Sequence, residues 1–274
     1  MSADAPRPAD VWASGAAYEP YVGRWSRLVA REFLAWLAVP AGSRWLDVGC
    51  GTGALSQPIV AETSPGFVKG VDASAGYVAF ARQQVRDAPV QFEVGDAQAL
   101  AEETASYDAA VSGLVLNFVA QPALMVAEME RVARPGGVVA VYVWDYAGEM
   151  QLIRHFWNAA VALDPAARAL DEGQRFPICH PDRLAELFRE AGLGAVVTRA
   201  IDVPTRFRDF DDYWSPFLGG QGPAPSYAMS LSDERRAALR ERIRVGLPVA
   251  ADGAIPLTVR AWAVRGAREA RGSA

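Results

Sequence analysis

One run of residues, Trp45-Leu46-Asp47-Val48-Gly49-Cys50-Gly51-Thr52-Gly53, constrains the fold more than any other part of the chain. It predicts a buried strand that carries an acid near its end, a turn with glycines at alternate positions, and then the start of a helix. Glycines let a ligand come close to the backbone, and a helix N-terminus adds N–H donors. The run therefore predicts a site for a nucleotide-type ligand.

The residues from 44 to about 145 alternate between strand and helix patterns. Strands are predicted at Arg44–Val48, Phe67–Val71, Val90–Val94, Tyr107–Ser112 and Val138–Trp144, and helices over 54–62, 74–86 and about 121–133. Arg134-Pro135-Gly136-Gly137 predicts a strong break before the last of these strands. Apolar strands alternating with helices indicate a parallel sheet that is covered on both faces.

The segment from Tyr146 to Phe217 has a different composition. Helices are predicted over about 149–163 and 181–191, a strand over 195–207, and beyond the segment a helix over 233–245 and a closing strand over 255–264. Its aromatic residues are Phe156, Trp157, Phe176, Phe207, Phe210, Tyr213, Trp214 and Phe217. Such a set predicts aromatic walls for a planar or largely apolar small molecule. The alternative is that these side chains form the core of the insert itself.

Composition narrows the classes of function. The chain has 274 residues, a net charge of −5 and Lys69 as its only lysine. A basic C-terminal stretch (Arg260, Arg265, Arg268 and Arg271) is interpreted as solvated surface, so we expect no nucleic-acid partner. The N-terminus does not resemble a signal peptide, no run predicts a membrane span, and two cysteines predict no disulfide scaffold and no metal site. We expect a cytoplasmic protein, a monomer or homodimer.

Three details refine the ligand of the glycine turn. Gly49, Gly51 and Ala54 also match the dinucleotide pattern of NAD-binding proteins, and an acid at Asp72 fits a ribose in either kind of ligand. However, a carboxylate at Asp47 suits a ligand that carries positive charge. Gly95-Asp96-Ala97 places another acid at the carboxyl edge of the sheet, and Arg134-Pro135-Gly136-Gly137 leads into the fifth strand.

Together these motifs resemble the class I S-adenosylmethionine-dependent methyltransferases, of the small-molecule, type 11-like kind. The resemblance covers about residues 44 to 145. It implies an α/β fold, a doubly wound Rossmann-like seven-stranded sheet whose last strand is antiparallel to the rest, with an N-terminal helix and a helical lid insertion. The implied division is 1–43 as an N-terminal helical cap, 44–145 as the S-adenosylmethionine-binding core, and 146–274 as the lid insert with the last strands.

The resemblance also implies roles for the cofactor-binding residues. Gly49 and Gly51 would contact the methionine part through backbone, Asp47 would organise the turn and the ammonium, and Asp72, beside Ala73, would hold both ribose hydroxyls. Further candidates are Asp96 and Ala97 for adenine, Ser112 and Leu114 beside the sulfonium arm, and Arg24 for the methionine carboxylate.

Three residues are candidates for catalysis, and five are candidates for contact with the acceptor. Tyr21 in the N-terminal segment, His155 on the helix after the fifth strand, and Asp145 at that strand's end are the candidate catalytic residues, with packing or capping as the alternative for each. Candidate contacts of the small-molecule acceptor are Trp25, Asn117, Trp144, Phe176 and Trp214.

The predicted reaction is an in-line transfer of a methyl group to an O, N or C nucleophile. Such a reaction depends mainly on orientation, and it needs a base only when the nucleophile keeps its proton at neutral pH. The alternatives are an NAD(P)-binding oxidoreductase and a non-catalytic cofactor-binding module.

Overall fold

The computed structural model describes residues 23–86, 89–219 and 222–270. Within these residues, seven strands form one sheet in the order β3-β2-β1-β4-β5-β7-β6. The strands are β1 (Arg44–Val48), β2 (Phe67–Asp72), β3 (Val90–Val94), β4 (Tyr107–Gly113), β5 (Ala133–Trp144), β6 (Leu193–Phe207) and β7 (Ile255–Arg268). Strands β1 to β5 pair in parallel, and β7 is antiparallel to both of its neighbours. The predicted Rossmann-like sheet with an antiparallel last strand is confirmed.

The helices lie between the strands in the predicted order. They are α1 (Arg24–Leu37), α2 (Ser56–Glu62), α3 (Ala75–Gln84), α4 (Pro122–Val132), α5 (Gln151–Leu163), α6 (Glu172–Arg175), α7 (Pro181–Glu190), α8 (Phe210–Trp214), α9 (Pro223–Ser230) and α10 (Asp233–Gly246). Short 3₁₀ turns span Leu116–Phe118, Pro165–Leu170 and Ser215–Leu218.

Strand β1 lies at the point where the strand order reverses. It pairs with β2 on one side and with β4 on the other, so the chain adds strands to the sheet in opposite directions on the two sides of β1. In open α/β sheets, a crevice opens at such a point beyond the carboxyl ends of the strands. The glycine turn that follows β1 lies at this crevice.

Helix α1 buries one face against the sheet. Trp25, Val29, Phe33 and Leu37 are buried at helical spacing, as expected for an amphipathic helix. The ring of Phe33 lies 4.8 Å from that of Tyr142 on β5. The helix therefore brings the N-terminal residues of the described chain beside the carboxyl end of β5.

Two expectations about local structure need correction. Arg134-Pro135-Gly136-Gly137 lies inside β5 as an irregularity in its pairing with β4, not before the strand, and Gly136 absorbs it with a φ of +78°. Two of the C-terminal arginines are also not simply solvated, whereas Arg271 lies outside the described residues. Arg265 donates to the carbonyl oxygen of Trp36 at 2.8 Å, and buried Arg268 donates to that of Arg131 at 2.7 Å. These two arginines hold neighbouring elements together.

No helix in the described ranges is both long and apolar enough to cross a membrane. The same residues contain no cluster of three or more side chains suited to holding a metal ion. The division into cap, core and lid insert stays a prediction.

Candidate active site

The glycine turn after β1 is fastened to the end of β2 by backbone hydrogen bonds. The N–H groups of Gly49 and Cys50 donate to the carbonyl oxygen of Val71 at 2.7 and 3.0 Å. The Asp72 carboxylate accepts from the N–H of Gly51 at 2.9 Å and from that of Ser74 at 2.8 Å. Asp72 therefore fixes both the first turn and the start of the next helix, and it does so from the edge of the crevice.

Gly49 is required by geometry at this turn. Its φ is +74°, and a Cβ placed on it would lie 2.6 Å from both Cγ atoms of Val115. Because the N–H groups of Gly49 and Gly51 already donate to Val71 and Asp72 at the end of β2, these residues present mainly their Cα atoms and carbonyls to the crevice. Contact between the backbone of these two residues and a ligand remains a prediction. Their N–H groups would not donate to the ligand, because both already have acceptors.

Asp47 is fully buried near the end of β1 and is among the residues that line the crevice. One oxygen accepts from the Ser56 hydroxyl at 2.6 Å, and the other has no hydrogen-bond partner among the described residues. Burial, with the nearby Asp72 charge adding to it, raises the pKa of Asp47 to about 7. A cationic group in the crevice would satisfy the second oxygen and favour the ionised form.

The crevice contains about 1060 Å³ of empty space, counted to its open mouth. One wall is the turn and its surroundings: Asp47, Gly49, Cys50, Gly51, Thr52, Ala54, Leu55, Asp72 and Tyr77. The other is largely aromatic and apolar: Gly113, Leu114, Val115, Phe118, Tyr142, Trp144, Tyr146, Ile153 and Pro223, with Ser26 and Glu172 adding polar groups. One wall thus suits a polar cofactor, and the other an apolar molecule beside it.

Several predicted residues come together here. Asp47, Gly49, Gly51, Asp72 and Leu114 line the crevice, as does the predicted substrate contact Trp144.

Ser112 lies in the last part of β4 and Asn117 in the turn that follows. Both are buried behind the residues that line the crevice. The Ser112 hydroxyl and both amide atoms of the Asn117 side chain have no hydrogen-bond partner among the described residues. Buried polar atoms are costly to leave unpaired, so both side chains remain candidates for contact with a ligand or a bound water.

Three of the remaining cofactor candidates do not line the crevice. Asp96 is exposed, and its carboxylate accepts from the backbone and side-chain amide of Gln98 at 2.9 and 3.2 Å. Ala73 is exposed and Ala97 half-buried, and none of the three lines the crevice. Tyr21 lies outside the described residues. Arg24 begins α1, and its side chain is not described.

Two of the candidate catalytic residues do not reach the crevice. Asp145 is buried, and its two oxygens accept from the N–H groups of Gly148 at 3.0 Å and Glu149 at 2.9 Å, which is the capping role left as an alternative. His155 lies in a separate open groove beside Arg154 and Leu247. Two residues along a helix correspond to about 200° of rotation, so His155 faces away from Ile153, which lines the crevice.

The aromatic insert forms a core more than a cavity wall. Phe156, Trp157, Tyr213 and Phe217 are fully buried, and the rings of Phe156 and Phe217 stack 4.7 Å apart. Trp214, proposed as a substrate contact, belongs to this core. The alternative interpretation therefore holds for most of the set.

Two other predicted substrate contacts lie beside the crevice without lining it. Trp25 is buried with its ring centroid 5.1 Å from that of Phe207. Phe176 packs 5.3 Å from Phe118 and 5.5 Å from Tyr146, so it supports the aromatic wall from behind.

Sequence reasoning missed several side chains that line the crevice, among them Tyr77, Tyr142, Tyr146 and Glu172. Tyr142 and Tyr146 share the alternation of Trp144 along and just beyond β5, so the period of two residues in a strand could have identified them. Glu172 had no such signal, because it lies in the polar run Asp171-Glu172-Gly173-Gln174-Arg175, which is typical of an exposed loop.

Comparison with known proteins agrees with this geometry. Residues 46–141 match the family model described as a methyltransferase domain. The chain is 30% identical over 187 residues to the 2-methyl-6-phytyl-1,4-hydroquinone methyltransferase of Synechocystis sp., a match that covers 67% of this chain and 57% of that protein. It is 32% identical over 183 residues to the demethylmenaquinone methyltransferase of Roseiflexus castenholzii, covering 61% of this chain and 75% of that one. The chain thus spans little more than half the length of the cyanobacterial relative.

A solved structure shares the fold. Phosphoethanolamine N-methyltransferase 2 of Haemonchus contortus, solved in complex with S-adenosyl-L-methionine, aligns with a TM-score of 0.59 at 17% identity over 93% of this chain and 56% of that one.

Proposed function

Because this chain belongs to the class I S-adenosylmethionine-dependent methyltransferases, we propose that it methylates a small, planar and largely apolar acceptor. The observation that carries this proposal is the aromatic wall of the crevice: Phe118, Tyr142, Trp144 and Tyr146 face the same space as the glycine turn. Flat apolar molecules bury well against such walls. Two relatives named for hydroquinone and demethylmenaquinone acceptors add support.

The residues of the crevice fit the cofactor, S-adenosylmethionine. The buried Asp47 oxygen that has no partner among the described residues suits the ammonium of the methionine part. The Asp72 carboxylate is held at the end of β2 by two N–H groups, and its remaining lone pairs suit ribose hydroxyls. When bound, the cofactor supplies a methyl group that its sulfonium already activates for displacement.

The protein's own contribution is to orient the acceptor and exclude water. The crevice wall formed by Leu114, Val115 and Ile153 offers no hydrogen-bonding side chain, so an acceptor pressed against it would lose its hydration. Positioning of reactants can supply a large part of the rate in such a displacement.

The proposal is tested in two steps. S-adenosylhomocysteine should raise the melting temperature, whereas NAD and NADP should not, since a ligand stabilises only the state that binds it. Methyl transfer is then measured from labelled S-adenosylmethionine to naphthols, hydroquinones, and aliphatic amines or alcohols of similar size. Transfer to the aromatic acceptors supports the proposal. Binding of S-adenosylhomocysteine with no transfer to any of them would indicate a non-catalytic cofactor-binding module, and a preference for aliphatic acceptors would contradict an aromatic site.

A further inference from the structure

Glu172 is a buried acid in the wall of the crevice, and the predicted contacts of the cofactor do not involve its carboxyl group. Its residue is 2% exposed, and it begins the short helix α6 in the insert. One carboxylate oxygen accepts a hydrogen bond from the indole N–H of Trp157 on α5. Ile153, four residues earlier on the same face of α5, also lines the crevice.

The loop that carries Glu172 is held tightly. Arg154 pairs with Asp171 at 2.7 Å, and the same Asp171 accepts from the N–H of Gly173 at 2.9 Å. A Cβ on Gly173 would lie 3.0 Å from both the carbonyl oxygen of Tyr146 and the Cα of Ala147. The carboxyl group is therefore fixed beside the aromatic wall by packing on both sides.

Glu172 has no ion-pair partner among the described residues. Arg154 on α5 is already paired with Asp171. Burial raises the pKa of Glu172 to about 8, against an ordinary value of 4.5, and the Trp157 hydrogen bond offsets only part of this effect. Two nearby charges act on Glu172 in opposite directions, since Asp171 raises its pKa and Arg175, on the same short helix, lowers it. Buried carboxyls are normally paired, so one that lines a cavity and forms no ion pair with a described residue is a candidate for contact with a ligand.

We propose that Glu172 is a catalytic residue that binds a hydroxyl group of the acceptor and takes its proton as the methyl group is transferred. This inference rests on the proposed function and names the acceptor chemistry of the same crevice, a hydroxyl on a flat apolar ring. The aromatic wall would hold the ring, and the carboxylate at its edge would hold the hydroxyl.

The step balances with the hydroxyl oxygen as nucleophile. A lone pair of that oxygen forms the new bond to the methyl carbon, and the carbon–sulfur bond breaks with its electron pair remaining on sulfur, which cancels the sulfonium charge. The hydroxyl proton passes to the Glu172 carboxylate, which becomes neutral and later releases the proton to solvent. A base is most effective when its pKa lies near the working pH, as it does for Glu172.

The test compares the wild type with Glu172→Gln, which keeps an oxygen to accept from Trp157 but cannot take a proton. Glu190→Gln, on the exposed end of α7, is the matched control. Calorimetry with S-adenosylhomocysteine present measures the binding of 1-naphthol, 1-methoxynaphthalene and 1-naphthylmethylamine. We expect the wild type and the control to prefer the naphthol over its methyl ether by at least tenfold, and Glu172→Gln to lose most of this preference.

Methyl transfer to 1-naphthol supplies the second readout. In the wild type, kcat should rise with pH through about 8, and in Glu172→Gln it should fall at least tenfold and lose this limb. Because Asp47 is also protonated at pH 6, the infrared test uses the difference spectrum of wild type minus Glu172→Gln, which should show one protonated carboxyl band at this pH.

Each contrary result overturns the inference. In the wild type, the contrary results are no binding of naphthol, no preference for naphthol over its methyl ether, or tighter binding of the amine than of naphthol. In Glu172→Gln, the contrary result is an unchanged pH profile. The proposed function has a separate failure, which is the absence of transfer to every aromatic acceptor while the naphthol preference persists.

Discussion

Replacing Glu172 by glutamine should make the folded protein increasingly stable relative to the wild type as the pH rises. In the fold, burial raises the pKa of this carboxyl to about 8, whereas in the unfolded chain it returns to about 4.5. The folded state therefore binds more protons between these values, and its stability falls as the pH rises through that window. The stability contributed by the protonated Glu172 carboxyl is fully present below the pKa of the unfolded chain, and it is lost as the pH rises through the pKa of the folded state.

The magnitude follows from the shift. Each pKa unit corresponds to about 1.4 kcal/mol, so holding the carboxyl protonated at pH 7, about 2.5 units above its unfolded pKa, costs about 3 kcal/mol. At pH 5 the same cost is below about 1 kcal/mol, and at pH 8 it reaches about 4 kcal/mol. Glu172→Gln removes this cost, but it adds a pH-independent penalty of about 1–3 kcal/mol if the new amide N–H₂ has no partner.

The pH-independent penalty cancels when two pH values are compared. Urea denaturation of wild type and variant, without cofactor, should show a difference in unfolding free energy that is about 3 kcal/mol larger at pH 8 than at pH 5. The exposed Glu190→Gln control should show a change below about 0.5 kcal/mol between the same conditions. A Glu172→Gln difference that is equal at both pH values would refute the argument that this carboxyl is held neutral by burial.

Four further predictions concern the turn and the C-terminal strand. Asp72→Ala should weaken binding of S-adenosylhomocysteine at least tenfold in calorimetry, about 1.4 kcal/mol, and unchanged affinity would remove the ribose role. Affinity for the same ligand should rise between pH 6 and 8 as Asp47, whose pKa is raised to about 7, ionises, and Asp47→Asn should flatten this rise. Gly49→Ala should lower the unfolding free energy by about 1–3 kcal/mol in urea because its Cβ would overlap Val115, and a neutral effect would contradict the close approach. Arg268→Ala should destabilise by about 1–3 kcal/mol without changing elution from heparin, whereas earlier elution with intact stability would indicate a polyanion site.

The fold was predictable because several of its strands carry their own boundaries. Arg44–Val48 is a largely buried run, and Val90–Val94 alternates apolar and polar residues. Each is followed by a glycine-containing turn, and the structure has both strands with the same ends. The irregularity inside β5 was not predictable, because Pro135 and Gly136 predict a break on local grounds. Pairing with β4 on one side and β7 on the other overrides that local preference.

The candidate site was predictable only where backbone position decides it. Asp47 and Asp72 end parallel strands, and the ends of neighbouring strands must meet at one edge of the sheet. In the insert that begins at Tyr146, the position of each side chain depends on how the helices pack. His155 and Trp214 are plausible by composition, but helical phase turns the first away from the crevice and core packing buries the second. Glu172 is the reverse case, since tertiary packing buries a residue whose sequence neighbours are polar.

Two buried carboxyls lining one cavity are best explained by what the cavity receives. Asp47 on β1 and Glu172 on α6 both have pKa values raised chiefly by burial. A fold selected for stability alone would replace such groups, since an apolar residue or an amide would avoid the cost of desolvation. Their separate elements indicate two separate tasks, one toward the cationic cofactor beside the glycine turn and one toward the acceptor beside the aromatic wall. Cofactor binding should therefore reduce the pH dependence of stability that arises from Asp47 and leave that from Glu172, a difference that denaturation with and without S-adenosylhomocysteine measures directly.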